Sequence, residues 1–589
     1  MTIDPQQKAG HPTPEAPWDD SFDLIVLGAG AGGMAAALTG AAQGLKTLLL
    51  EKSGLIGGTT AFSSGTTWVP DNPHMRKLGM VDDAQHATLY LDGLVGDRAD
   101  RSLRLAFIEQ GPEMLSFLEG HSSVRFKAYP TMPDYRQDIA GAGTGGRPLE
   151  PLEFDGRLLG KHFETLRPPI PELTIFGGMM LTRGEAALLL KGATSLKAMA
   201  LGVKLLSRHV LDRLGHRRGT RLVLGNALAA RLYKSLLDKN VDIRLNADVR
   251  SLIADGGIRG IALQQNGGLA RIEARKGIVL AGGGFPSSPA MRERYLPAPT
   301  AQYTPACPDS KGETIQLGLN AGAAMGKGSA DNALWFPSSI AQRKDGSTAV
   351  YPHIVLDRPK PGLIAVNAKG ERFVNEAVSY HEFTRAMYRA NQDAQTIPAI
   401  LICDRKFLWK YGLGMIRPQA LSIRSYIDSG YLITTPTLSE LAIKLKLDPA
   451  TLAQTVQRHN AFARSGTDED FNKGGTLYER ANGDMRHQPN PCLAEIDKPP
   501  FFAVKVYPTP LGTGIGLSIN AQAQALDGNG LPIPGLYACG NDADSIFGGE
   551  YPGAGAQIGP AMTFGYIAAM HATTRQVAQT SPAGPSQTF

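Results

Sequence analysis

Gly28-Ala29-Gly30-Ala31-Gly32-Gly33 follows an apolar run, Phe22 to Leu27, and precedes a small-residue stretch, Met34 to Ala42; a carboxylate, Glu51, closes the next apolar run, Lys46 to Glu51. The order is that of strand, tight turn, helix and strand. Glycines in a G-x-G-x-x-G turn let the backbone approach a pyrophosphate, whose charge is held by the helix N-terminus, and an acid at the end of the second strand accepts from ribose hydroxyls. Gly28, Gly30, Gly33 and Glu51 therefore point to a dinucleotide and to redox chemistry. A glycine cluster alone marks only a turn; here strand, helix and acid accompany it. The carboxylate disfavours a 2′-phosphate and hence NADP.

The segment after Glu51, Lys52-Ser53-Gly54-Leu55-Ile56-Gly57-Gly58-Thr59-Thr60-Ala61-Phe62-Ser63-Ser64-Gly65, is rich in glycine and hydroxyls and lacks a strand pattern. An extended segment of this composition can run along a pyrophosphate and a flavin ring, giving N–H and hydroxyl bonds to both. Lys52, Gly58, Thr59, Thr60, Ser64 and Gly65 are accordingly expected at the cofactor, which favours FAD over NAD. No histidine occurs in the segment, so the flavin is expected to be non-covalent.

These elements require an α/β fold: a discontinuous Rossmann-like FAD-binding domain, residues 21–287 and 510–578, with an α+β catalytic domain, 288–509, inserted between, and flexible ends at 1–20 and 579–589. Apolar strands ending in glycine recur at Gly277 to Ala281 and Gly535 to Ala538, while Leu363 to Val366, Ile400 to Cys403 and a helical stretch from Thr451 to Ala463 belong to the insertion. Glycine supplies 68 of 589 residues, well above the usual ~7%, so many turns must approach something closely. The net charge of +6 and the lack of a basic–aromatic stripe argue against nucleic acid. The four cysteines are far apart and no histidines cluster, so neither a metal nor a disulfide framework is expected, and the N-terminus has no signal-peptide pattern. A cytoplasmic location is the expectation. Leu188 to Leu214 carries apolar residues at helical spacing, and Lys191 to Arg221 holds eight Lys/Arg and one Asp. Such a helix can lie on an anionic membrane; an ordinary surface helix with a solvated face is the plainer reading and the one favoured from sequence.

LIVLGAGAGGMAAA, EKSGLIGGTTAFSSGTTWVP, GIVLAGGGF, GERFVNEAVSY and YPGAGAQIGPAMTFGY together resemble the 3-ketosteroid Δ1-dehydrogenases, a branch of the fumarate reductase-like flavoproteins, from Phe22 to His571. The resemblance implies a 3-ketosteroid, or a related cyclic ketone, that loses a C2 proton and passes a C1 hydride to flavin N5, forming a 1(2)-double bond. It implies that Tyr551 and the N–H of Gly555 polarise the ketone oxygen, that Tyr380 is the proton acceptor and that Tyr135 assists it. A random tyrosine among the 17 is more often a packing residue. The resemblance also places Val249, Gly283, Gly540, Asn541 and Gly559 at the FAD. The helix opened by Ile558-Gly559-Pro560 would turn its dipole toward the flavin. Trp335 and Phe336 line an apolar slot or fill the core.

Glu550, Arg136 and Met132 depart from the family pattern as read here, and a carboxylate at 550 is expected to affect substrate choice. The same chemistry on a smaller ring, or at another steroid position, is the nearest alternative. A fumarate reductase-type enzyme needs cations to clamp a dicarboxylate, yet Gly535 to Met570 has no Lys or Arg and contains Asp542, Asp544 and Glu550. An electron-transfer subunit docking through the basic helix is the third possibility. An external, quinone-like electron acceptor is expected in any of these cases.

Overall fold

The computed structural model describes residues 17–190, 195–265, 267–343 and 345–575. Its central strand, Asp20–Leu27, is buried on both faces over Leu24 to Val26, as a parallel strand covered by helices must be. It pairs in parallel with Thr47–Glu51 on one side and Gly268–Leu280 on the other. Asp242–Leu245 and Pro532–Ala538 extend the parallel run outward. Antiparallel strands Asp248–Ala254, Ile258–Gln265 and Gln524–Leu526 complete eight strands. Strand order reverses beside the central strand, and in open α/β sheets that crevice, at the carboxyl ends of the strands, is where ligands bind.

Helix Ala31–Ala42 makes the first crossover, between Asp20–Leu27 and Thr47–Glu51, and lies against the C-terminal helix Ile558–Thr574. Small residues permit that approach. A Cβ on Gly565 would stand 2.4 Å from the Gly32 carbonyl oxygen, and one on Gly32 would stand 2.8 Å from that of Ala561.

A second, six-stranded antiparallel sheet carries Thr348–Pro352, Ala333–Gln342, Phe501–Thr513, Ala399–Asp404 and Leu363–Val366 in that order, with Ile433–Thr435 also on Phe501–Thr513. Strand Phe501–Thr513 pairs with Ala399–Asp404 through its first half and with Ala333–Gln342 through its second, and so runs through position 510 within this sheet. Helix Tyr380–Ala390 packs on Ala333–Gln342. The insertion strands fall within a residue of where the sequence puts them, and the expected helix at Thr451 to Ala463 is Pro449–Ser465.

Two expectations change. The expected flexible ends lie mostly outside the described residues, but the chain is already ordered at Trp18, whose ring takes the Arg271 guanidinium at 4.9 Å, and the Asp19 N–H donates to the Arg271 carbonyl. The stretch Leu188 to Leu214 is not one helix: Arg183–Leu189 ends first, Leu196–Gly215 follows, and residues 191–194 lie outside the described set. Nor does that helix bury its apolar stripe. Its inward face is Ala198, Leu205, His209 and Asp212, held by a His209 Nε2 bond to the Phe176 carbonyl and by the Thr220 N–H donating to Asp212. Leu196, Val203 and Leu214 are 83%, 70% and 82% exposed.

The segment before Tyr380 is fixed by a buried ion cluster. Arg372 bonds Glu376 (2.9 Å) and Asp468 (2.8 Å), and Lys473 reaches Glu376 at 3.1 Å, all with side chains 4% exposed or less. Burial opposes ionisation of Glu376, but Arg372 and Lys473 outweigh it and hold the carboxyl well below its usual range. Removing Glu376 leaves the Asp468 carboxylate alone against two buried cations, Arg372 and Lys473, and breaking a buried pair in this way typically costs about 3–5 kcal/mol. Glu376→Ala is expected to lower the thermal midpoint sharply and Glu376→Gln less so, as read by calorimetry of the purified proteins; equal, small shifts would show that the cluster does not hold this segment.

Candidate functional site

A cavity of about 1920 Å³ opens at the carboxyl ends of the parallel strands and continues between the two sheets. Single ligands occupy roughly 300–1,000 Å³, so the cavity has room for a cofactor and a second molecule. At its sheet end stand Gly28, Gly30, Gly33, Glu51, Lys52, Gly58, Thr59, Thr60 and Ser64, together with Val249, Gly283, Gly540 and Asn541. The three glycines of the motif do different work. A Cβ on Gly28 would lie 2.3 Å from the Ala281 oxygen and one on Gly33 2.0 Å from the Gly28 oxygen, whereas one on Gly30 would meet no protein atom within 4 Å. Gly30 is therefore open on the cavity side, where a pyrophosphate needs the room. Glu51 accepts from the N–H groups of Ala29 (3.0 Å) and Ser53 (2.9 Å), which aims the carboxylate at the rim. The residues fit FAD: backbone amides and hydroxyls for the phosphates, the Glu51 carboxylate for the ribose.

Two expected cofactor residues are placed otherwise. Gly65, at φ 66°, does not line the cavity; its Cβ would strike the backbone of Gly225 at 2.8 Å. Gly559 is also withdrawn, a Cβ there falling 2.0 Å from the Trp68 carbonyl, and Ile558 lines the cavity in its place. Both glycines serve close packing of protein on protein. Asp542 was missed as an organiser: fully buried, it accepts from Gly282 N–H (2.7 Å) and Gly284 N–H (2.8 Å) and so shapes the glycine turn.

Further in, Tyr135, Tyr380, Tyr551 and Gly555 share the cavity wall. The Tyr135 hydroxyl donates to that of Tyr380 at 2.7 Å; the Tyr135 and Tyr551 rings stack at 5.6 Å, and Tyr380 meets Tyr551 edge-on at 5.3 Å. Three separate parts of the chain converge here, and each is anchored. Tyr380 is the first residue of its helix, capped by Ser379, whose hydroxyl accepts from the Glu382 N–H. Tyr135 follows Asp134, which takes bonds from Trp68 Nε1 (2.8 Å), Gly143 N–H (2.8 Å) and Arg147 (2.6 Å). The Tyr135 N–H and the Tyr90 hydroxyl both donate to the Pro552 carbonyl, tying the first loop to the one that bears Tyr551. Gly555, at φ 97°, could carry no side chain, since a Cβ would lie 2.5 Å from the Thr66 oxygen, and among the described residues its N–H has no acceptor.

Burial raises all three phenols. Tyr380 stands well above the usual range through burial and the neighbouring Tyr135 and Tyr551, and Tyr135 does so through burial, Tyr478 and Tyr551. Tyr551 is raised by burial while bonds with Tyr380 and Gln557 pull the other way. Gln557 Nε2 donates to the Tyr551 hydroxyl at 3.1 Å, a contact sequence reasoning missed although Gln557 stands one residue before the expected helix. Tyr478, also missed, packs on Tyr135 at 4.9 Å, and Phe336 on Tyr380 at 4.2 Å. Trp335 is core, its indole N–H on Asp331; Phe336 lines the cavity. Glu550 turns away from the cavity to Arg385 (2.9 Å) and Arg98 (3.4 Å), so its charge is neutralised and does not face a substrate. Arg136 pairs with Asp138, while Met132 lines the cavity.

Residues 23–558 match the FAD binding domain family. The chain is 36% identical to a 4-oxocyclohex-2-ene-1-carboxylate 5-dehydrogenase of Sinomonas cyclohexanicum, over 93% of this chain and 92% of that one. It is 34% identical to a 3-oxosteroid 1-dehydrogenase of Mycobacterium tuberculosis, over 93% and 98%. The 3-ketosteroid Δ1-dehydrogenase of Sterolibacterium denitrificans, solved with 1,4-androstadiene-3,17-dione, superposes with a TM-score of 0.88 at 37% identity, covering 94% of this chain and all of that one. The chain belongs to the FAD-dependent 3-ketosteroid Δ1-dehydrogenase family. Its fold is that of the family, its cofactor is FAD, and it is an oxidoreductase. Among the described residues no helix is long and apolar enough to cross a membrane.

Proposed function

We propose that this enzyme desaturates a ring ketone next to its carbonyl, with 3-oxosteroids as the substrate class and the 1(2)-bond as the product. The observation that carries the reading is the meeting of Tyr135, Tyr380, Tyr551 and Gly555 on one wall of a cavity whose other end is the dinucleotide cradle. The Tyr551 hydroxyl, which accepts from Gln557 and keeps its own proton to give, and the free N–H of Gly555 hold the ketone oxygen. As the neighbouring C–H is lost, negative charge grows on that oxygen, and two fixed donors in a water-poor pocket stabilise it. Tyr380 accepts the C2 proton. The Tyr135 hydroxyl, donating to the Tyr380 oxygen, is placed to relay a proton on and off that phenol, while burial and the neighbouring phenols work against charge on Tyr380. FAD in the cradle supplies the acceptor for the hydride that leaves C1. Support for a flat ring system comes from the inner lobe, lined by Met132, Phe336, Ile354, Leu413 and Met415, and from the relatives named 3-oxosteroid 1-dehydrogenase.

Anaerobic androst-4-ene-3,17-dione is expected to bleach the flavin absorbance of the purified protein. Tyr380→Phe is expected to slow bleaching roughly 10²–10⁴-fold and Tyr551→Phe roughly 10²–10³-fold, both with full flavin content. Because burial places Tyr380 above the usual phenol range, the wild-type rate climbs as pH rises above neutrality. An unbleached flavin across ring ketones, or variants as fast as wild type, would overturn the reading.

Turnover would need an external, quinone-like acceptor for the electrons taken from the substrate, and helix Leu196–Gly215 rests on an anionic membrane surface within the cytoplasm. Its outward apolar stripe, flanked by exposed Lys197 and Lys204 that have no carboxylate partner among the described residues, suits the headgroup boundary of a bilayer. Leu189 and Leu190, at the end of the preceding helix, line the cavity, so an apolar ketone has a short path from lipid to site. The wild-type protein should co-sediment with vesicles containing phosphatidylglycerol, and the triple variant Leu196→Ser, Val203→Ser, Val210→Ser should not, at equal flavin content; equal binding of both, or of neither, refutes the contact.

A further inference from the structure

The substrate lobe is not electrically neutral. Its acids are all engaged: Glu172 with Arg343 (2.6 Å), Asp357 with His353 (2.6 Å) and Asp484 with Lys410 (2.8 Å). Among the described residues three of its cations have no carboxylate partner: Arg417, which donates to the Thr174 carbonyl, and Arg183 and Lys360. Arg183 lines the cavity, lies over the Tyr129 ring at 5.8 Å with a long 3.5 Å contact to the Tyr129 hydroxyl, and has no carboxylate partner among the described residues. Lys360 also lines it; its Nζ donates to the carbonyls of Asn482 (2.7 Å) and Gly483 (2.8 Å) and likewise meets no carboxylate. Burial holds the Lys360 ammonium below its usual value, with Arg183 adding to it and Asp484 and Asp357 working against it. Arg183 is near enough to Tyr135 and Tyr478 to pull on both phenols. Arg183 thus stands beside the tyrosines, and Lys360 lines the same cavity, away from the glycine turn that receives the pyrophosphate.

Charged groups removed from water are ordinarily paired. Two cations in one lobe, each with neutral hydrogen-bond partners only, work against one another until an anion arrives. A guanidinium suits a carboxylate, which it can bind through two parallel N–H bonds.

We propose that Arg183 and Lys360 form a carboxylate subsite, so that the favoured substrate is a ring ketone bearing a carboxylate away from the ketone. The inference rests on the ketone reading above and narrows it. It reverses the expectation that negative charge guards this site: Glu550 and Asp542 are spent on Arg385, Arg98 and backbone amides, while the charge left facing the lobe is positive. The same chemistry has two sources, a short ring acid such as the 4-oxocyclohexanecarboxylate named for one relative, which is 34% identical to this chain, or a 3-oxosteroid with a carboxylated side chain.

The test uses the holoenzyme and compares kcat/KM for 4-oxocyclohexanecarboxylate and its methyl ester, for a 3-oxosteroid carboxylic acid and its methyl ester, and for androst-4-ene-3,17-dione. At least one acid is expected to exceed its ester by about tenfold or more, chiefly through KM, and which acid does so identifies the source. Arg183→Gln and Lys360→Met should bring the acid-to-ester ratio toward unity, and Arg183→Lys should restore part of it. Acids no better than their esters, or a ratio unmoved in both variants, overturns the subsite while leaving the ketone reading intact. Failure of every ketone to reduce the flavin removes both.

Discussion

The bond between the Tyr135 and Tyr380 hydroxyls is the contact on which the rest of the enzyme depends, because the chemistry asks a buried phenol to behave as a base. An ordinary phenol titrates near 10, and burial here works against ionisation. A partner hydroxyl held at hydrogen-bond distance gives the proton a route on and off that phenol, and the fold spends three anchors on holding it. The Asp134–Arg147 pair fixes the loop of Tyr135, the Ser379 cap and the buried Arg372–Glu376–Lys473 cluster fix Tyr380, and the Pro552 carbonyl ties the first loop to that of Tyr551. The surrounding protein excludes water, which strengthens each of these bonds and makes the cost of losing any one of them larger.

The same economy of space governs the cofactor end. Of the glycines in the motif, Gly28 and Gly33 are required by contacts within the protein and Gly30 by the open cavity. The C-terminal helix brings Gly559 and Gly565 against Trp68 and Gly32, so the segment that carries Tyr551 and Gly555 is packed directly onto the dinucleotide turn. Cofactor and ketone sites are built from adjacent pieces of one interface and cannot shift independently.

Much of the fold was legible in the sequence because its signals are local. A glycine turn between an apolar strand and a small-residue helix, with Glu51 after the next strand, specifies the parallel core without help. The phenol pair was not legible in that way: Tyr135 and Tyr380 are 245 positions apart and neither has a local pattern, so only the likeness to a known family joined them. Gly65 and Gly559 show the converse error, since a glycine needed for protein packing and one needed for a ligand look alike in sequence. Periodicity also could not tell which face of Leu196–Gly215 is outward; His209 and Asp212 settle it through bonds that exist only in three dimensions. Arg183 and Lys360 carry no sequence motif, and what sets them apart is that among the described residues neither has a carboxylate partner.

The central claim is that Tyr380, supported by Tyr135, moves the proton at the carbon beside the ketone. Solvent deuterium entering that carbon, followed by mass spectrometry of a ring ketone incubated in heavy water with enzyme whose flavin has been reduced beforehand, isolates proton transfer from hydride transfer. The account predicts rapid exchange in the wild-type enzyme and its loss in Tyr380→Phe; exchange at an unchanged rate in that variant would contradict it.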